Sequence, residues 1–384
     1  MQRIYLDHTA TTPVDPLVVE AMRPYWGDIH GNPSSIHWFG QRAKEALEKA
    51  RETIAGAIGA EPGELFFTSG GTESDNAALR GAASAARERG RNHLVTSMAE
   101  HHAVLDTIQE LVGEGFRSTV LDVDEVGRVP LSDIESALTP QTVLVSLMHA
   151  NNEVGTVNPL AEITGPVRNH GVFFHTDAVQ TLGKLPVDVD TLGVDLLSVS
   201  AHKLYGPKGI GALYVRKGTD LEPILHGGGQ ERGMRPGTEN VALAVGFAKA
   251  VELSTAAMAS ESASLAGLRN RLEMKIKDRY PEVLLNGDPK ERLPHILNVS
   301  FDSEKIALEG EMLVMNMDLE GIAVTSGSAC TSGSMQPSHV LLALGRDPET
   351  AKATLRFSFG RGNTEEDVEA AIKALQTVVE RMRR

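Results

Sequence analysis

Lys203 occupies a position suited to chemistry. An apolar run, Val194 to Val199, reads as a buried strand and breaks into the polar cluster Ser200-Ala201-His202-Lys203, just before the turn signal Gly206-Pro207. Ligands of parallel sheets gather at the carboxyl ends of strands, which is where this cluster falls. A lysine there offers an amine for nucleophilic or Schiff-base work. A lysine taken alone is more often a solvated loop residue, so the reading depends on its company.

That company is spread along the chain. Leu65 to Thr68 reads as a strand, followed by Ser69-Gly70-Gly71-Thr72-Glu73-Ser74 and an alanine-rich helix from about Asp75 to Ala86. Strand, glycine turn and helix aim free N–H groups and a helix dipole at an anion. The turn lacks Walker spacing and a full Gly-x-Gly-x-x-Gly, so a nucleotide is not indicated, and the turn is either a phosphate site or a plain tight turn. His175-Thr176-Asp177 places a carboxylate after another strand. On a strand from Ala353 to Phe359, Leu355, Phe357 and Phe359 share one face, and Thr354, Arg356 and Ser358 the other. Arg356 is then a fixed guanidinium suited to a carboxylate, or else a surface arginine. The single cysteine, Cys330, lies in Thr-Ser-Gly-Ser-Ala-Cys-Thr-Ser-Gly-Ser, where little can bury it, so an exposed, mobile thiol is expected.

The elements that must position these groups alternate. Strands are expected at His93–Ser97, Val143–Leu147, Val172–His175, Val194–Val199 and Gly211–Val215, with helices such as Ala103–Gly113 and Leu160–His170 between them. Gln41 to Ile58 carries one apolar stripe. This pattern predicts an α/β fold with a mostly parallel sheet covered on both faces. The polar clusters after the strands, Glu100-His101-His102 and His149 to Glu153 among them, then converge on one sheet edge. A helical stretch from Asn240 to Arg279 leads to a second unit with strands at Ile296–Phe301 and Thr354–Phe359 and a final helix after Thr364. The expected division is a large domain, residues 15–255, and a small α+β domain, residues 1–14 plus 256–384, carrying the cysteine loop at about 325–336.

Composition narrows the partners. A net charge of −14 over 384 residues argues against nucleic acid. No uninterrupted apolar run approaches the roughly 18 residues of a membrane span. Met1 to Asp7 shows no signal region, so a cytoplasmic protein is expected. One cysteine forbids an intrachain disulfide, and no Cys-rich metal motif exists. A hydrolase metal site on His101, His102, His175 and Asp177 is a competing reading, but their spacing fits no short ligand motif.

A lysine, a carboxylate, an anion turn, a carboxylate-binding arginine and a free thiol form the parts list of pyridoxal phosphate chemistry. The chain resembles a class I cysteine desulfurase of the class V aminotransferase group, which implies the fold type I of pyridoxal enzymes. The resemblance runs through Ala10-Thr11-Thr12-Pro13, Gly31 to Ser35, Thr68 to Ser74, Glu100 to Leu105, Asn151-Asn152-Glu153, His175 to Gln180, Ser200 to Lys203, His226 to Gly233, Arg235 to Thr238 and Ser326 to Ser332.

Carried over, the resemblance implies pyridoxal 5′-phosphate on Lys203, with Asp177 at the pyridine nitrogen and His101 stacked on the ring and moving protons. Gln180 and Asn152 would lie at the phenolic oxygen. Gly71, Thr72, Ser200, His202 and, from the partner subunit of a homodimer, Thr238 would hold the phosphate. Arg356 and Asn152 would bind substrate L-cysteine. Cys330 would take its sulfur as a persulfide, leaving L-alanine, and pass it to acceptors such as an iron–sulfur scaffold. No resident metal is implied, with Cys330 a candidate transient iron–sulfur or metal ligand. Selenocysteine lyase, or a related aminotransferase or β-eliminating enzyme, is the alternative within the same fold, and a non-catalytic sulfur carrier is the alternative outside it. Where relatives have Asn-Ala or Tyr-Ser, this chain has His8-Thr9, expected to line the mouth of the pocket.

Overall fold

The computed structural model describes residues 3–87, 89–306, 308–327 and 336–383. Cys330 lies outside the described residues. Among them the strands run, in chain order, β1 (Ile4–Tyr5), β2 (Leu65–Thr68), β3 (His93–Ser97), β4 (Arg117–Leu121), β5 (Thr142–Ser146), β6 (Phe173–Asp177), β7 (Leu196–Ser200), β8 (Gly211–Val215), β9 (Val283–Leu285), β10 (Ile296–Phe301), β11 (Ile322–Ala323) and β12 (Thr354–Ser358).

β2 to β8 form one sheet in the order β2-β8-β7-β6-β5-β3-β4. β3 to β7 pair in parallel. β8 is antiparallel to both its neighbours. Only the stretch Ala201 to Ile210 separates β7 from β8, too short for a crossover, so β8 must turn back. The sheet is thus mixed and mostly parallel, as the sequence predicts. β4 went unpredicted because its Arg-Ser-Thr-Val-Leu segment lies on an open edge, where four of its residues keep solvent contact and no apolar pattern is required.

Alternate side chains divide between the two faces. Leu94, Leu144, Leu196 and Leu213 pack with Leu79 and Ala82 of the helix Gly71–Arg87. Val95, Val145, Leu197 and Val199 pack with Leu47 and Ile54 of the helix Trp38–Ala57. A separate apolar cluster joins Leu6, β10, β12 and the final helix Glu365–Met382. The helix Val241–Arg279 spans the two, placing Phe247 and Val251 in the first and Leu268, Leu272 and Ile276 in the second. By length and composition this helix could cross a membrane, but half of its apolar window is buried inside the fold. That half packs where a lipid-facing surface would otherwise be.

β2 is an edge strand whose outward backbone groups are covered. Arg51 Nη2 and Nη1 donate to Glu231 Oε1 and Oε2 at 2.6 and 2.8 Å. Phe67 N donates to Glu231 Oε2, and Leu65 O accepts from both Arg51 and Arg232. Both members of the pair are nearly inaccessible, with side-chain exposures of 3% and 2%. Glu231 and Arg232 take left-handed conformations, φ 46° and 56°, to reach it. Because a stranded buried charge is costly, Arg51→Met should lower unfolding stability by about 3–5 kcal/mol in urea titrations. The double variant Arg51→Met, Glu231→Leu should lose clearly less.

Candidate active site

β2 runs in the same direction as β7, because each is antiparallel to β8. The loops after β2, β3, β5, β6 and β7 therefore open at a single edge. They enclose a cavity of about 310 Å³, completed by the amino-terminal segment and β12. Gly71, Thr72, His101, Asn152, Asp177, Gln180, Ser200, His202, Lys203 and Arg356 all line it. Thr238 does not: it lies in a neighbouring surface cavity with Ser69, Gly209 and Arg235. A larger open groove of about 1160 Å³ lies elsewhere, over Tyr5, Asn363 and Ala370, away from this cluster.

Lys203 projects from a short turn at the end of β7. Its Nζ donates to the carbonyl oxygens of Thr9 and Ala10 at 2.6 and 2.8 Å. Burial, and then the Arg356 guanidinium, lower its pKa to about 8. The amine is thus near the boundary between proton carrier and nucleophile at physiological pH. The turn is braced by Thr12, whose N and Oγ1 donate to His202 O, and whose Oγ1 accepts from Tyr205 N.

Three carboxyl groups lie beneath the cavity. Burial raises Asp177, Glu100 and Asp75, taking Glu100 to about 8 and Asp75 well above the carboxylate range. Like charges this close do not all ionise. Burial and the neighbouring Asp177 push Asp75 and Glu100 toward their protonated forms. The ionised form of Asp177 is favoured by the Val179 N–H, which donates to Oδ1 at 2.8 Å, and by the Lys203 amine when it is charged. Glu100 Oε1 accepts from Met148 N and Ser97 Oγ.

His101 caps the helix His102–Gly113, its Nδ1 accepting from Ala103 N at 3.0 Å. In the neutral ring this leaves the proton on Nε2. Partial burial lowers its pKa, with Asp177 opposing, so the neutral form prevails near pH 7. His175, proposed above as a metal ligand, has both nitrogens engaged: Nδ1 with Ser146 Oγ at 2.8 Å and Nε2 with Ser198 Oγ at 3.0 Å. Among the described residues no three His, Cys, Asp or Glu side chains are gathered as a metal-binding group.

The helix expected from Asp75 begins at Gly71, so its N-terminus reaches the cavity itself. Gly71 must lack a side chain, since a Cβ there would stand 2.7 Å from Val179. Ser200 Oγ and Gln180 Oε1 are buried without a partner among the described residues. Gln180 Nε2 donates to Thr9 O at 3.1 Å. An amine, an ionised carboxylate below, a helix N-terminus at one end and unpaired polar atoms fit pyridoxal 5′-phosphate.

Arg356 is 5% exposed, which excludes the surface alternative. Every residue of β12 is buried, so no face of that strand meets solvent. His8 also departs from expectation. It is buried and packs against Gly360 and the Tyr5 ring, 4.9 Å away, while Thr9 and Ala10 take the place at the cavity. Sequence reasoning missed the carbonyls of Thr9 and Ala10, because backbone acceptors leave no mark in residue type. It quoted Glu100 and Asn151 within matching stretches without giving them roles. Asn151 turns out to brace the loop, its Oδ1 accepting from Glu153 N and Val154 N.

Residues 4–371 match the family described as aminotransferase class-V. A protein of Dictyoglomus turgidum named cysteine desulfurase IscS is 48% identical over 382 residues, covering 100% of this chain and 96% of that protein. A solved NifS-like protein superposes with a TM-score of 0.91 at 38% identity, covering 99% of this chain and 100% of that one. Another structure, SspA in complex with cysteine, gives 0.82 at 39% identity over 92% of this chain and 98% of its own. Taken with the cavity around Lys203, these full-length likenesses place the chain in the aminotransferase class-V family, among the IscS- and NifS-like proteins.

Proposed function

We propose that the chain is a cysteine desulfurase, converting L-cysteine to L-alanine and moving the sulfur onto Cys330 as a persulfide for acceptor proteins. The observation that carries this reading is the cavity that unites Lys203, Asp177, His101 and Arg356. Pyridoxal 5′-phosphate, when bound, supplies an aldehyde for covalent capture of amines and a ring that accepts the electrons of the Cα–H bond. Lys203 would hold it, and its amine would take the proton from the substrate Cα. Asp177 would hold a proton at the ring nitrogen, its ionised form favoured by the Val179 N–H. Gly71, Thr72, Ser200 and His202 would hold the phosphate, and Gln180 and Asn152 would meet the phenolic oxygen. His101 presents its Nε2 proton to the reacting atoms.

Arg356 binds the substrate carboxylate, and its buried Nε lacks any acceptor among the described residues. The Cys330 thiolate attacks the substrate sulfur: an S–S bond forms, the Cβ–S bond breaks, and its electron pair returns to the carbon skeleton, which takes one proton at Cβ and regains at Cα the one Lys203 removed, giving alanine.

The same reading includes a homodimer in which Thr238 completes the partner's phosphate site. Thr238 is exposed and outside the cavity of its own chain, and Trp26, Ile36, Trp38 and Phe39 form exposed apolar surface on one stretch. It also includes two domains, residues 15–255 and 1–14 with 256–384. The two apolar clusters, with Leu6 belonging to the second, support that division. An iron–sulfur scaffold is the acceptor we favour, and the cytoplasm the compartment.

Cys330→Ala should keep the yellow cofactor and bind cysteine, yet release sulfide roughly a hundredfold more slowly. Lys203→Ala should lose turnover by a similar factor or more. Unimpaired sulfide release from Cys330→Ala sinks the persulfide role. Since the Lys203 amine must be neutral to capture the aldehyde, capture by cofactor-free protein should rise about tenfold per pH unit below pH 8 and level off above it, in stopped-flow absorbance. Light scattering should give twice the 41.2 kDa chain mass, and Ile36→Asp should yield monomers that hold the cofactor weakly.

A further inference from the structure

Arg356 already meets a carboxylate of its own chain. Its Nη2 donates to Asp7 Oδ1 at 3.0 Å and its Nη1 to Asn152 O at 2.9 Å, while Nε is buried without a partner among the described residues. The guanidinium is 6% exposed and the Asp7 carboxylate 20%. Asp7 is held from two sides by its backbone, bridging Ser358 and accepting from Ala10 N. Arg356 lines the cavity and Asp7 does not, so Asp7 grips the guanidinium from outside the space a ligand would fill.

A buried guanidinium with one engaged edge presents its remaining donors in a fixed direction. The adjacent negative charge also offsets part of its pull on any second carboxylate. Substrate and product of the proposed reaction carry the same α-carboxylate, so a stronger grip would hold both alike and slow product exit without favouring the reacting state. We propose that Asp7 is the positioning residue that sets the strength of the carboxylate site, orienting Arg356 while keeping its hold on amino acids weak enough to reverse. This rests on Arg356 being the carboxylate anchor. Asp7 further offsets Arg356 at the Lys203 amine, where the two act in opposite directions.

The test is absorbance titration of the holoenzyme with L-alanine and with ethylamine, which is alanine without its carboxylate. Asp7→Asn keeps an oxygen for Nη2 and removes the charge. It should bind L-alanine about tenfold more tightly relative to ethylamine, whose own binding reports any change at the Lys203 amine, with KM for L-cysteine falling and kcat not rising. Asp7→Glu should return alanine binding toward that of the unaltered protein. Unchanged or weaker alanine binding in Asp7→Asn overturns the proposal, provided that Arg356→Gln abolishes the preference for alanine over ethylamine. If Arg356→Gln keeps that preference, the anchor reading fails and the proposal with it.

Discussion

Two hydrogen bonds, from the Lys203 amine to the carbonyls of Thr9 and Ala10, join the parts of the molecule that the site needs together. The amino-terminal segment lies between the end of β7 and the end of β12. Its main chain is fixed on the β12 side, where His8 N donates to Ser358 O and Thr9 N to Ser358 Oγ. On the other side Thr12 holds the His202 carbonyl. The strap adds to the Arg356 bond to Asn152 O and to the helix Val241–Arg279 in relating Arg356 to Lys203 across two separately packed apolar clusters. The strap explains why burial can lower the lysine while leaving it reachable.

Charge in this cavity is organised by scarcity of solvent. Asp75 and Asp177 line the cavity and Glu100 lies close by, and burial raises the pKa of all three carboxyls. The same burial keeps the nearby imidazoles neutral, with His202 lowered to about 4 and His175 to about 3. Scaffold and chemistry meet at the edge strand β2. The Glu231–Arg51 pair and the Arg235–Glu73 pair, 2.9 Å apart, pin the loop carrying Thr238 beside the glycine turn after β2.

Much of this was legible in the chain. Buried parallel strands announce themselves as apolar runs, and turn residues follow them, so the lysine, the aspartate and the glycine turn each had a readable address. Thr354 to Phe359 showed its alternation, yet not that both faces would be covered, because burial of the Arg356 face depends on Thr325, Asn152 and Asp7 from distant segments. The helix at Gly71 began four residues early, since the small residues of the turn accept helical geometry when a sheet edge packs against them.

Residue type and local spacing by themselves determined which groups could react and which strand each would end. They could not decide that Asp7 faces Arg356, that burial raises the pKa of Asp75 and Glu100, or that His8 turns inward while two backbone carbonyls hold the lysine. Those outcomes depend on distances between segments hundreds of positions apart and on how much water remains between them. Only the packed chain sets either quantity.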